Sequence, residues 1–143
     1  MAGVRDGVMS VDSRTGSRPL ILLVEDHADT RLMYMEFLGP DYDVQGVGDG
    51  VSALEAIAKR RPDAIVTDFA LPRMDGFELI ARLRGDARFR DIPIVALSGF
   101  SGPEHDQRVG QVHPVTVLQK PCLPESLVEE IEKLLRGGTG KAP

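Results

Sequence analysis

The sequence predicts an α/β domain built on a parallel sheet. Short, continuous apolar runs, amphipathic stretches between them, and Gly or Pro punctuation at each change of pattern carry that prediction. The first run is Leu20 to Val24, with no polar residue, as a strand covered on both faces requires. It breaks off into Glu25-Asp26-His27-Ala28-Asp29. Ala28, Leu32, Met35 and Leu38 then recur at helical spacing up to Gly39-Pro40.

Tyr42 to Val47 reads as a weaker second strand, lowered by Gly46, followed by the turn Gly48-Asp49-Gly50. Val51, Leu54 and Ile57 mark a helix that closes at Lys59-Arg60-Arg61 and Pro62. Asp63 to Thr67 is a third strand that runs into Asp68 and a Pro-containing loop. Asp75-Gly76 opens a helix with Phe77, Ile80 and Leu83 inward. Ile92 to Leu97 is the fourth strand, with Pro93 near its start, and it ends in Ser98-Gly99-Phe100. A polar stretch, Pro103 to Gln111, is the fourth helix. Val115 to Leu118 is a short strand ending at Gln119-Lys120-Pro121. A last amphipathic helix begins near Glu125 and turns Leu127, Ile131, Leu134 and Leu135 inward before Gly137-Gly138. Short right-handed crossovers then give three layers. Residues 1–19 read as a flexible leader, 20–136 as the domain and 137–143 as a tail.

The chain of 143 residues is long enough for one core, and 42% hydrophobic with 27% charged residues is a globular composition. A net charge of −5 argues against direct DNA binding, which needs clustered cations. One cysteine forms no intrachain disulfide, and three scattered histidines make no zinc-type cluster. With no membrane-length apolar run and no signal-peptide pattern, the expected setting is the cytoplasm.

In open α/β sheets, ligands bind beyond the carboxyl ends of the strands. Those ends carry Glu25 and Asp26, Asp68, Ser98 and Lys120. A lone Asp68 would be an ordinary strand-ending turn former. Four strand ends with reactive residue types point to a shared site. Three carboxylates together call for a proton or a cation, and oxygen ligands with few carboxylates suit Mg²⁺. A carboxylate can act as nucleophile and form an aspartyl phosphate. Lys120 supplies a mobile positive charge and Ser98 a short hydroxyl for phosphoryl oxygens.

With these motifs the sequence resembles the receiver domains of bacterial two-component response regulators. The matching residues are Glu25-Asp26, Asp68 with Leu71-Pro72-Arg73-Met74-Asp75-Gly76, Ser98 and Lys120-Pro121, in family order from about Leu20 to Arg136. The resemblance implies a flavodoxin-like domain, five helices around a five-stranded parallel sheet in order 2-1-3-4-5. It implies that Asp68 accepts a phosphoryl group from a phosphohistidine on a sensor histidine kinase or histidine phosphotransfer protein. Glu25, Asp26, Asp68 and the backbone carbonyl of Ala70 would hold Mg²⁺, Ser98 and Lys120 would sense the phosphoryl group, and Lys120-Pro121 would be cis. The expected protein is a stand-alone response regulator, not a turnover enzyme. It would signal to a downstream protein through the face of the fourth helix, fifth strand and fifth helix.

The sequence also departs from the family. The acidic pair is Glu-Asp, and Val117 stands where the family often has an aromatic ring that follows the hydroxyl. Phe100 is the nearby aromatic, and it also reads as a loop residue packing locally. Ala70 and Phe100, two residues beyond Asp68 and Ser98, cannot orient water by hydrogen bonding, which predicts slow autodephosphorylation.

Other residues have plainer readings: His27 as a solvated loop side chain, Cys122 as packing, and Lys59-Arg60-Arg61 as cations at a helix C-terminus. The competing functions are a phosphorylation-independent scaffold, an aspartyl-nucleophile phosphatase and a flavin or nucleotide binder. Ala70 lacks the acid/base group the phosphatase needs. The acidic first loop lacks the phosphate cradle of the nucleotide binder.

Overall fold

The computed structural model describes residues 18–137; most of the expected leader and tail lie outside the described residues. Five strands, β1 (Leu20–Val24), β2 (Asp43–Val47), β3 (Ala64–Asp68), β4 (Ile94–Ser98) and β5 (Thr116–Gln119), alternate with five helices. These are α1 (Ala28–Leu38), α2 (Gly50–Lys59), α3 (Gly76–Arg84), α4 (Pro103–Gln111) and α5 (Pro124–Gly137). All strand pairs are parallel, in the order β2-β1-β3-β4-β5. This is the flavodoxin-like arrangement.

Alternation along each buried strand divides the core in two. Leu22, Val24, Ile65, Ile94 and Ala96 meet α2, α3 and the end of α4 through Ala53, Ile57, Phe77, Ile80 and Val112. Ile21, Leu23, Val66, Val95 and Leu97 meet α1 and α5 through Tyr34, Leu38, Leu127 and Ile131. Continuous apolar runs with no polar alternation are the sequence form of this double coverage.

Helix α1 turns only some of its helically spaced apolar residues inward. Ala28 and Leu32 are exposed, and the covered positions are Arg31, Tyr34, Met35 and Leu38. Tyr34 is buried with its hydroxyl donating to the Cys122 carbonyl at 2.8 Å, and half-buried Arg31 donates from Nη1 to the Glu25 carbonyl at 2.7 Å. Two residues that look polar in sequence thus displace Leu32 from the inner stripe. Val51 on α2 is also exposed, where Ala53 and Ala56 supply the close contact. Gly46, a weak strand former, lets α1 approach the sheet, since a Cβ there would lie 2.6 Å from Met35 Sδ.

The amino-terminal ends of the strands are cross-tied. Arg18 donates to the Gly39 carbonyl at 2.7 Å and pairs with Asp43 at 3.2 Å, and Asp63 Oδ2 accepts the Leu20 N–H at 2.7 Å. Arg84 reaches three carbonyls, Arg90 at 2.7 Å, Ile92 at 2.9 Å and Pro114 at 2.6 Å. The carboxyl ends carry the site.

Candidate phosphoacceptor site

The strand order reverses between β1 and β3, so a crevice opens at their carboxyl ends. Register sets the contents of that crevice. Val24 pairs with Thr67, Asp68 with Leu97, and Ser98 with Gln119, which brings Glu25, Asp68, Ser98 and Lys120 to one rim. The backbone N–H of Lys120 donates to the Ser98 carbonyl at 2.8 Å. The Lys120–Pro121 bond is cis, as is His113–Pro114.

Asp68 is buried at 2% exposure. Its Oδ2 lies 2.5 Å from Lys120 Nζ, and its Oδ1 accepts the Ala70 N–H at 3.3 Å. The first residue of α3, Gly76, presses on this strand end: its N–H donates to the Phe69 carbonyl at 2.8 Å. A Cβ at Gly76 would lie 2.7 Å from Phe69 Cα and collide with the Asp68 carbonyl oxygen. The glycine is required by this close approach of backbone to backbone.

Glu25 is also buried, at 1% exposure, whereas Asp26 is exposed. Glu25 Oε2 accepts the His27 N–H at 3.0 Å and faces His27 Nδ1 at 3.2 Å. Burial raises the Glu25 carboxyl above its ordinary range, against the lowering effect of the His27 N–H bond, and the Asp68 charge raises it further. Its Oε1 is buried and has no hydrogen-bond partner. A carboxylate oxygen held in this way, beside two further acids, fits a hard divalent cation.

The ligand atoms that lie within 4.8 Å of one another belong to Glu25, Asp26 and His27, while Asp68 turns its Oδ2 to Lys120. His27 is solvated, as read from sequence, yet its Nδ1 stands 3.4 Å from Asp26 Oδ1. It joins the acidic pair in space because it is the residue before α1, where its N–H bends back on Glu25.

Ser98 is fully buried. Its Oγ donates to the Phe100 carbonyl at 3.0 Å, accepts the Phe100 N–H at 3.1 Å and lies 2.9 Å from His105 Nε2. Sequence reading missed His105, which sits in a polar stretch with no ligand pattern around it. The ring stands edge-on to Phe69 and Phe77, which stack on each other at 4.0 Å. Phe100 is 55% exposed, so it does not pack into the loop as a local core residue. Val117 is half-buried against the α2–α3–α4 side of the core, with no ring.

Arg73 is a second residue missed. It takes a left-handed φ of 67°, uncommon for a side chain of its size, in the loop after Asp68. Its guanidinium pairs at 2.5 Å with Asp49. Asp49 accepts the Ser52 N–H as the cap of α2, and that bond, with Arg73, holds its carboxyl below the ordinary range. The loop beyond Asp68 is thereby tied to the start of α2.

Comparison with known proteins agrees with this geometry. Residues 21–132 match the family described as the response regulator receiver domain. The chain is 33% identical over 119 residues to hybrid signal transduction histidine kinase D of Dictyostelium discoideum, across 83% of this chain and 8% of the kinase. It is 35% identical over 117 residues to response regulator MprA of Mycobacterium leprae, across 81% of this chain and 50% of that protein. The chain therefore spans half or less of these relatives. Among solved structures, chemotaxis response regulator CheY4 of Vibrio cholerae superposes with a TM-score of 0.75 at 30% identity, covering 82% of this chain and 98% of that one. The receiver domain of a sensor histidine kinase from Pseudomonas aeruginosa, with a magnesium ion coordinated in its active site cleft, gives 0.77 at 27%, covering 84% and 99%. The residues, the strand order and these likenesses agree, and the chain belongs to the response regulator receiver domain family, the phosphoryl-accepting modules of two-component signalling.

Proposed function

We propose that Asp68 is the phosphoacceptor and that the protein relays the phosphoryl signal through a protein surface. The observation that carries this reading is the Asp68 carboxylate, buried on the rim and countered by Lys120 at 2.5 Å. One Asp68 oxygen attacks the phosphorus of a phosphohistidine on a histidine kinase or phosphotransfer protein. The new P–O bond forms as the P–N bond breaks, and the imidazole nitrogen keeps the electron pair. The product carries about −2 of charge where the carboxylate carried about −1, and Lys120 and a rotated Ser98 hydroxyl would donate to its oxygens.

Glu25 and Asp26, with Asp68 and the Ala70 backbone carbonyl, would hold Mg²⁺, and the unpartnered Glu25 Oε1 supports that assignment. Bound there, the cation offsets charge on the transferring oxygens. Lys120 steadies the acceptor carboxylate, and burial of Asp68 keeps bulk water from it. Ala70 supplies no acid/base side chain for rapid hydrolysis, in keeping with a switch and not a turnover enzyme. The output surface of this reading is the face of α4, β5 and α5, with a downstream protein as partner, in the cytoplasm, without direct DNA contact.

The test is incubation with acetyl phosphate and Mg²⁺, followed by intact-mass analysis of wild type and Asp68→Ala. One phosphoryl group on the wild type, absent from the variant and absent without Mg²⁺, is expected. No adduct on the wild type with acetyl phosphate or a phosphohistidine donor would overturn the reading in favour of a phosphorylation-independent scaffold.

A further inference from the structure

We propose that His105 is a positioning residue that holds the Ser98 hydroxyl at rest and hands its movement to α4. The inference rests on Asp68 being the phosphoacceptor and adds to it the link from phosphoryl group to surface. Val117 has no ring to provide that link.

The hydrogen-bond inventory of Ser98 is the starting point. A hydroxyl has one proton and two lone pairs. The proton goes to the Phe100 carbonyl, and one lone pair takes the Phe100 N–H. The remaining lone pair faces His105 Nε2 at 2.9 Å, and the tautomer protonated at Nε2 completes the set by donating to it. All three valences of Ser98 are used, and none is directed at Asp68. To donate to a phosphoryl oxygen, Ser98 must release the Phe100 carbonyl. Rotation of Oγ then withdraws the acceptor from His105.

His105 is also one of the few anchors of its helix. Helix α4 has no buried residue, and its amino-terminal cap, Gly102 at φ 115°, makes no side-chain hydrogen bond. The helix lies on the Phe69–Phe77 stack through the edge-on His105 ring and through Arg108. The Arg108 guanidinium sits 4.0 Å over Phe77 and 3.1 Å from Asp75, with Val109 partly packed beneath. Phe69 follows Asp68 directly. One imidazole thus touches the sensor hydroxyl, the neighbour of the acceptor and the face of a weakly held helix. A segment with few buried apolar contacts opens at low cost, so loss of one anchor is felt along it. The same ring borders an open cleft of about 650 Å³ that Phe69, Phe77, Phe100 and Arg108 also line.

The test combines intact-mass analysis with amide hydrogen exchange of 100–111, before and after acetyl phosphate and Mg²⁺. His105→Phe keeps the ring against Phe69 and Phe77 and removes the donor. His105→Gln keeps a donor near the Nε2 position and removes the ring. In wild type, phosphorylation should speed exchange in α4 by roughly tenfold or more. His105→Phe should accept the phosphoryl group to the same extent with that response lost, and His105→Gln should restore a measurable part of it. Without any phosphodonor, Ser98→Ala should raise α4 exchange toward the phosphorylated wild-type value. A merely structural His105 would leave the phosphorylation response intact in both variants, whatever their resting exchange. Phosphorylated His105→Phe with a wild-type α4 response overturns the relay alone, as does Ser98→Ala with unchanged exchange. No adduct on the wild type overturns the phosphoacceptor assignment, and the relay with it.

Discussion

Lys120 Nζ stands 2.5 Å from Asp68 Oδ2, and this pair joins the ends of two strands that are not neighbours in the sheet. Asp68 is almost wholly buried, while the lysine side chain keeps 36% of its surface. Lys120→Met preserves most of the stem and removes the charge. The Asp68 carboxylate then stays in its buried place without a counter-charge, so a loss of about 1–3 kcal/mol is expected by urea unfolding at neutral pH. Asp68→Asn in the Lys120→Met background should recover at least half of that loss, and a strictly additive double-mutant cycle would sink the account.

Gly76→Ala places a methyl group against the backbone of Asp68 and Phe69, which cannot step aside as a flexible side chain would. Thermal unfolding should show a destabilisation of about 1–3 kcal/mol. Phosphoryl uptake should slow as well, because the clash falls on the strand end that carries Asp68, the proposed acceptor. A variant with wild-type melting and wild-type uptake contradicts both expectations.

Tyr34 carries a pH signature of its own. Burial pushes its hydroxyl up from the ordinary 10 to about 12, with nearby negative charge adding to the shift. The folded state favours the neutral phenol, so this contribution is complete below pH 10 and lost as pH rises from 10 toward 12. The stability difference between wild type and Tyr34→Phe should shrink across that window. At neutral pH the variant also lacks the bond to the Cys122 carbonyl, at about 1 kcal/mol. A difference independent of pH up to 12 would show that Tyr34 ionises as it does in the unfolded chain.

Ala70 and Phe100 are both exposed at the rim of the site, and neither side chain can direct a water molecule. Ala70→Asn introduces a donor and an acceptor two residues beyond Asp68. The phosphoryl half-life, followed by intact mass after removal of the donor, should shorten several-fold. Equal lifetimes in the two proteins would remove position 70 from the control of hydrolysis.

The reactive rim was legible because parallel strands end where their apolar runs end. Glu25, Asp68, Ser98 and Lys120 each stand directly beyond such a run or close it, and register alone brings them together. The inner face of α1 was not legible, since Arg31 and Tyr34 are covered through hydrogen bonds to carbonyls that sequence spacing does not reveal. His105 was hidden for a related reason. Its partners, Ser98, Phe69 and Phe77, lie on three different elements or their flanks, and no local pattern connects them. Arg73 was read only as part of a motif, and its left-handed backbone shows only in three dimensions.

The ties at the amino-terminal ends of the strands set a direction for the whole domain. Arg84 draws together the starts of β4 and β5, Asp63 joins those of β1 and β3, and Arg18 with Asp43 closes the far edge. At the opposite rim stand an orphaned carboxylate oxygen, a strained arginine and a helix with nothing buried. The sheet is therefore held differently at its two ends: carbonyls and side chains rivet the strand starts, whereas the strand tips are joined largely through the charges of Asp68, Lys120, Asp49 and Arg73, where a change of charge is felt first.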